Sequence, residues 1–227
     1  MALVSGGGTN LQALLDAQEN GAFDSNGSGG KIALVVSDNP KAYALERAKA
    51  AGVSVAVEEP DRNIPRDELR QELSDRILKL AETYHIDLIV LAGFLSILKG
   101  EIVRRYSGRI INLPPSLLPK FGGDGMYGER VHRAVLDAGE KESGCTVHLV
   151  DAGVDTGPIL LQRKVPVLSD DTPDILAERI HEQEHIAIVE AVKLMVERIN
   201  NQCQQVKDFL PRTNTNHTNN DKMRRKS

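Results

Sequence analysis

Ala2-Leu3-Val4-Ser5-Gly6-Gly7-Gly8-Thr9-Asn10-Leu11-Gln12-Ala13-Leu14-Leu15 is the stretch that decides the fold. An apolar run enters a serine and a set of glycines, and Leu11, Leu14 and Leu15 then recur at helical spacing. That order reads as a strand over Ala2–Val4, a tight turn, and an amphipathic helix over Asn10–Glu19. The same unit repeats outward along the chain. Ile32–Ser37, Ser54–Glu58, Asp87–Ala92 and Arg109–Leu113 are β-branched runs bounded by Gly, Asn, Asp or Pro, and read as strands. Lys41–Ala51 and Arg66–Tyr84 read as helices; in the second, Leu69, Leu73, Ile77 and Leu80 share one face. Strands alternating with helices predict an α/β fold with a mostly parallel, doubly wound sheet. In such sheets ligands sit beyond the carboxyl ends of the strands, which directs attention to Ser5–Asn10, Gly93–Leu98 and Asn112–Lys120.

The second half changes character. Cys145–Asp151 alternates as CTVHLVD, and Ile159–Val167 comes after the turn-rich Gly153–Pro158. Both read as late strands, with antiparallel addition to the sheet as the natural outcome. Thr172 and Pro173 supply an N-cap and a first-turn proline for a long C-terminal helix to about Ile199. Residues 1–206 are read as one domain and 207–227 as a disordered polar tail, because PRTNTNHTNNDKMRRKS holds too few apolar residues to offset its ordering entropy.

With 227 residues, the chain has room for one large domain and a substantial core. Trp is absent and aromatics make up only 4%, so aliphatic side chains must fill that core. The net charge of −4 gives no global attraction for nucleic acid or an anionic membrane, so an anionic ligand needs a local site. Cys145 and Cys203 form no CxxC and are too few for a disulfide scaffold, which predicts a reducing compartment. No signal-like segment succeeds Met1, and the longest apolar run, near Ile86–Leu98, is interrupted by Asp87 and Gly93. A cytoplasmic protein is expected.

Three segments carry chemistry. Ser5–Asn10 lies between a strand and a helix, where glycines permit close backbone approach and the helix start offers free N–H groups to a phosphate. Taken alone it reads equally as a tight turn, and it is neither GxGxxG nor GxxxxGK[ST]. In Ile110-Ile111-Asn112-Leu113-Pro114-Pro115-Ser116-Leu117-Leu118-Pro119, Asn112 ends an apolar strand where a carboxamide can donate to a reacting carbonyl, and the prolines stiffen the adjoining loop. In Asp151-Ala152-Gly153-Val154-Asp155-Thr156-Gly157-Pro158 the carboxylates can orient an amine or an imidazole, or can simply form an Asx turn.

Together these segments resemble the phosphoribosylglycinamide formyltransferase family over Met1 to about Asn200. SGGGTNLQALLDA resembles the family's phosphate loop and LAGFLSIL its folate-binding segment. INLPPSLLP resembles INIHPSLLP, VHLVDAGVDTGPILLQ the acidic turn, and RIHEQEH the final helix. The resemblance implies a Rossmann-like formyltransferase fold. It also implies formyl transfer from 10-formyltetrahydrofolate, as cosubstrate and without metal, to the amine of 5-phosphoribosylglycinamide in purine biosynthesis. The expected partners are these small molecules, and the expected state is a monomer or homodimer. By the same resemblance Gly8, Thr9 and Asn10 hold the phosphate and Glu184 contacts the ribose hydroxyls. Leu95, Ser96, Ile97 and Leu98 line the pterin pocket, Arg66 pairs with the folate's glutamate carboxylate, and Asn112 polarises the transferred carbonyl. Asp155 sets the protonation of a catalytic histidine.

That histidine is absent. The family's imidazole, two residues after the asparagine, is here Pro114, which has no titratable group and no N–H. A positioned acid/base group contributes ~10²–10⁴ in rate, so impaired transfer is expected. The open explanations are a slow or inactive variant that still binds both ligands, a proton carried by another group such as Asp155 through water, or an altered position. His148, in CTVHLVD, reads as a supporting residue; His132 sits on a further helix, and Tyr127 lies on a glycine-rich loop that reads as an ordinary surface loop or, alternatively, as a lid over the site. His181-Glu182-Gln183-Glu184-His185 satisfies HExxH, but no third ligand stands downstream and no metal is expected. Among related chemistries, methionyl-tRNA formyltransferase needs a further basic domain, formyltetrahydrofolate hydrolase carries an N-terminal regulatory domain, and the phosphate loop argues against a sugar N-formyltransferase. The non-enzymatic alternative is a folate- and ribonucleotide-binding homologue without turnover.

Overall fold

The computed structural model describes residues 1–24 and 29–209. Its strands are β1 (Ala2–Val4), β2 (Leu34–Ser37), β3 (Ser54–Val57), β4 (Ile89–Leu91), β5 (Ile110–Asn112), β6 (Glu142–Leu149) and β7 (Ile159–Pro166). They form a single sheet in the order β3-β2-β1-β4-β5-β6-β7. The first five strands in that order pair in parallel; β6 adds antiparallel to β5, and β7 antiparallel to β6. The helices are α1 (Thr9–Glu19), α2 (Ala44–Ala50), α3 (Arg66–Thr83), α4 (Glu101–Arg105), α5 (Glu129–Asp137) and α6 (Pro173–Phe209).

Successive side chains of a strand point to opposite faces, and here that alternation builds two cores. Ala2, Val4, Val35, Val90 and Ile111 face the layer of α1, α2, α5 and α6, against Leu11, Leu14, Leu15, Ala48, Ile180 and Ile188. Leu3, Leu34, Val36, Ile89, Leu91 and Ile110 face α3 and α4, against Leu73, Ile77, Leu78, Ile102 and Val103. Because both faces are covered, the central strands carry no polar-out positions and read as continuous apolar runs.

The parallel strands are shorter than the sequence suggests. Ile32, Asp87, Ala92, Arg109 and Leu113 lie outside β2, β4 and β5, although Ala92 N still donates to Leu3 O and Arg109 O still accepts from Ile89 N at the strand ends. The helix expected over Lys41–Ala51 forms only over Ala44–Ala50, because residues 38–43 make a turn in which Asn39 Oδ1 accepts from Lys41 N. On α3, Leu73 and Ile77 are buried as expected, but the core face continues through Leu78 and Ala81; Leu80 is only half-buried. β6 begins earlier than Cys145, and α6 runs past Ile199 to Phe209. The polar tail expected from 207 overlaps that helix end, and residues 210–227 lie outside the described residues. Among the described residues no helix is long and apolar enough to cross a membrane.

The proline-rich segment after β5 is fastened to the antiparallel pair. Thr146 N donates to Pro114 O at 3.1 Å, and Thr146 Oγ1 donates to Ser116 O at 2.7 Å while accepting from Leu118 N at 3.0 Å. Gln162 Nε2 reaches both Leu118 O and Thr146 Oγ1 at 2.9 Å. This close approach needs a glycine beneath it: a Cβ on Gly144 would lie 1.9 Å from Arg163 O and 3.0 Å from Leu117 Cδ2. Gly144→Ala is therefore expected to cost about 1–3 kcal/mol of stability by overpacking. Chemical denaturation should show a lowered midpoint with an unchanged slope; an unchanged midpoint would mean that β6 and β7 can separate freely.

Candidate active site

The sheet reverses its winding between β1 and β4, the place where doubly wound sheets open a crevice. A cleft of about 820 Å³ lies there, lined by the segments after β1, β4, β5 and β6 together with Arg66, Arg70, His181 and Glu184. Hydrogen bonds tie the loops at its floor. Ser5 N donates to Gly93 O at 3.0 Å, Leu95 N donates to Ser5 Oγ at 2.8 Å, and Ser96 Oγ donates to Asp38 Oδ2 at 2.6 Å.

At one end stands the glycine loop. Gly8 precedes α1 in the left-handed region (φ 74°), and a Cβ there would lie 2.5 Å from Ala44 Cβ. Glycine at this position thus permits both the turn and the packing of α1 on α2. Gly6 and Gly7 face open space. Arg47 Nε donates to Gly7 O at 2.9 Å, so a guanidinium backs the loop. The arrangement offers free N–H groups, a helix start and a nearby cation to an anion.

Asn10 and Glu184 adjoin this loop. Asn10 Nδ2 donates to Glu184 Oε2 at 3.2 Å, and Asn10 Oδ1 is buried without a partner. Glu184 is only 4% exposed, and burial pushes its carboxyl above the usual range; the nearby His181 and the Asn10 amide oppose that shift without cancelling it. His181 Nε2 lies 3.8 Å from Glu184 Oε2. Among the described residues, no group of three or more His, Cys, Asp or Glu is placed to hold a metal ion; of the HExxH segment, His181 and Glu184 line the cleft.

At the other end, Asp155 collects three donors or potential donors. Asn112 Nδ2 donates to its Oδ1 at 3.3 Å, Gly123 N to its Oδ2 at 3.0 Å, and His148 Nε2 lies 3.4 Å from Oδ1. Burial alone would raise the Asp155 carboxyl, but His148, the Gly123 N–H and Asn112 together hold it below the ordinary value. Pro114 lines the same wall. The two carboxylates of the acidic turn divide their tasks: Asp151 Oδ1 accepts from Gly153 N and Thr156 Oγ1 as an Asx turn, and Asp155 faces the cleft.

Leu95, Ser96, Ile97 and Leu98 all line the cleft, as do Gly8, Thr9 and Asn10. Leu98 is also packed in the core, whereas Leu95 is exposed. Arg66 reaches the mouth, where Asp124 of the glycine-rich loop pairs with it at 3.2 Å and with Arg70 at 3.3 Å. Sequence reasoning misses Arg70 and Asp124. Arg70 is detectable as the residue one helical turn after Arg66; Asp124 is not, since only the tertiary fold brings residues 58 positions apart together. Leu69, placed on the core face by its spacing, instead lines the cleft wall.

Residues 1–192 match the family model described as formyl transferase. The chain is similar to the trifunctional purine biosynthetic protein adenosine-3 of Drosophila melanogaster, at 45% identity over 194 residues; the match covers 86% of this chain and only 14% of that protein. It is similar to the phosphoribosylglycinamide formyltransferase of Escherichia coli K12, at 38% identity over 185 residues, covering 82% of this chain and 81% of that one. Among solved structures it resembles glycinamide ribonucleotide transformylase 1 from Symbiobacterium toebii, with a TM-score of 0.75 and 42% identity over 86% of each chain.

Glu184 gives a pH test of the site. A carboxyl whose folded pKa is raised binds its proton more tightly folded than unfolded, so it costs stability as pH rises above the unfolded value near 4.5. Glu184→Gln should therefore melt higher than the parent near neutral pH, with the gap closing as pH falls toward that value. Equal melting temperatures at every pH would mean that Asn10 and His181 already compensate the burial.

Proposed function

The chain belongs to the formyl transferase family, among the phosphoribosylglycinamide formyltransferases, and on that premise we propose that it transfers a formyl group from 10-formyltetrahydrofolate to the amine of 5-phosphoribosylglycinamide in purine biosynthesis, at a rate lowered by Pro114. The observation that carries the reading is the single cleft with an anion cradle at one end and the Asn112–Asp155 pair at the other. The cleft also suits the cosubstrate: Leu91–Leu98 offers apolar walls and backbone polar groups to a flat heterocycle, and Arg62, Arg66 and Arg70 stand at the mouth for an anionic tail.

In this reading the ribonucleotide phosphate rests on Gly8, Thr9 and Asn10, with Glu184 accepting from ribose hydroxyls. The primary amine is thereby directed toward the formyl carbon held near Asn112. As the amine attacks, charge grows on the formyl oxygen, and the Asn112 Nδ2 donor stabilises it; removing one such donor costs about 10²–10³ in rate. Positioning of the two reactants survives the loss of an imidazole at position 114, because it depends on the cradle and the cleft walls. A second reading, a homologue that binds both ligands without turnover, is favoured by Pro114 alone.

Pro114→His should raise the rate of formyl transfer at least tenfold; an unchanged rate in a folded variant would contradict the role given to that position. Asn112→Ala should abolish the activity while leaving ribonucleotide affinity, measured by calorimetry, nearly unchanged. Turnover that persists in this variant would locate the chemistry elsewhere. Binding of both ligands with no detectable transfer, in the parent and in Pro114→His alike, favours the second reading.

A further inference from the structure

Pro114 removes one imidazole from the transfer end of the cleft, yet another remains there. His148 lies on β6 directly opposite Asn112 of β5, is 2% exposed, and lines the cleft beside Asn112, Pro114 and Asp155. The other imidazole of the described cleft lining, His181, belongs to the Glu184 end. The tautomer of His148 is set by its neighbours. Nδ1 sits 2.9 Å from Leu149 O, which can only accept, so Nδ1 carries a hydrogen and Nε2 is the nitrogen left to exchange a proton. Nε2 is buried with no hydrogen-bond partner and faces Asp155 Oδ1 at 3.4 Å. A proton on Nε2 bridges the two groups, and Nε2 without one is the acceptor to which the carboxylate can pass a proton. The pair can therefore hold and release one proton.

We propose that His148 stores the proton of the transfer step, acting through Asp155, so that the imidazole–carboxylate pair of this chain is completed from β6 and not from the proline-rich loop. The inference rests on the formyl-transfer reading. The amine lone pair forms the new N–C bond while the formyl π pair moves to oxygen, opposite Asn112 Nδ2. The proton shed by the attacking nitrogen passes to Asp155 Oδ1 and on to His148 Nε2, leaving imidazolium beside carboxylate. It then returns through Asp155 to N10 of the folate as the C–N10 bond breaks and the oxygen lone pair restores the carbonyl. The products are the N-formylated amine and tetrahydrofolate, with no oxidant or reductant required. His148 does not touch the substrate in this scheme; it is a positioning and proton-holding residue. The charged group that faces it is Asp155, from the turn after β6; its cross-strand neighbours, Asn112 on β5 and Ile159 on β7, are uncharged.

The test uses the full chain and steady-state transfer from 10-formyltetrahydrofolate to 5-phosphoribosylglycinamide over a pH series. His148→Asn keeps an amide donor near Leu149 O while removing the titrating nitrogen; His148→Gln is the second variant should the first fail to fold. The expected result is a fall in kcat of at least tenfold with KM within twofold, and loss of the acidic limb of the kcat profile. In a Pro114→His background the same substitution should cost less than threefold, because the loop imidazole then takes over the proton. An unchanged kcat and acidic limb overturns the proposal, as does a loss confined to KM or to thermal stability. Activity in Pro114→His but none in the parent also overturns it while leaving the formyl-transfer reading intact. Absence of transfer in both points to failure of that reading itself.

Discussion

The carboxylate of Asp155 is the constraint on which the site depends. Its two oxygens meet an amide from the end of β5, an imidazole from β6 and a backbone N–H from the glycine-rich loop before α5. These are separate parts of the chain, and the carboxylate fixes them to one another. Asp155 adopts φ 58°, a left-handed conformation that Asp tolerates better than most side chains, and the contacts hold it there. A carboxylate stabilised this way contributes to folding above its unfolded pKa and loses that contribution as pH falls through the depressed folded value. Glu184 at the far end runs the other way, costing stability so that an acceptor can face the cleft. One end of the site is thus stabilised by its charge, and the other is strained by it.

The sheet explains why these groups meet. Parallel strands of three or four residues leave little ladder, so the central strands are held chiefly by their two apolar faces, and the chain leaves each of them quickly at the carboxyl end. The loops that leave β1, β4 and β5 consequently start from nearly one level and converge at the reversal between β1 and β4. Antiparallel β6 then brings His148 in from the opposite direction, beside Asn112. Parallel topology supplies the cradle and the cleft walls; the antiparallel addition supplies the imidazole.

Much of this is legible in the chain itself. The alternation of β-branched runs with helical spacing carries the fold class, and the carboxyl-end rule points to Ser5–Asn10, Gly93–Leu98 and the segment after Asn112 without coordinates. Strand ends are overextended in the sequence because apolar residues such as Leu113 remain buried beyond the last paired residue of their strand. His148 reads as a mere supporting residue because alternation on a strand says which face a side chain takes, not what stands opposite; only the register of β5 with β6 puts it beside Asn112. The pairing of Asp124 with Arg66 and Arg70 is invisible for the same reason. Pro114, by contrast, can be recognised from sequence alone, since the missing imidazole is a matter of residue identity.

The central claim is that one cleft holds a phosphate at the glycine loop while the carbon to be transferred rests against the Asn112 amide. A crystal structure with the ribonucleotide and a non-transferring folate analogue bound together tests it most directly. The account predicts phosphate density on the amides of Gly8 and Thr9, and the analogue's formyl-equivalent oxygen within hydrogen-bonding distance of Asn112 Nδ2. A cradle left empty at saturating ligand, or an Asn112 amide turned away from that oxygen, would contradict it.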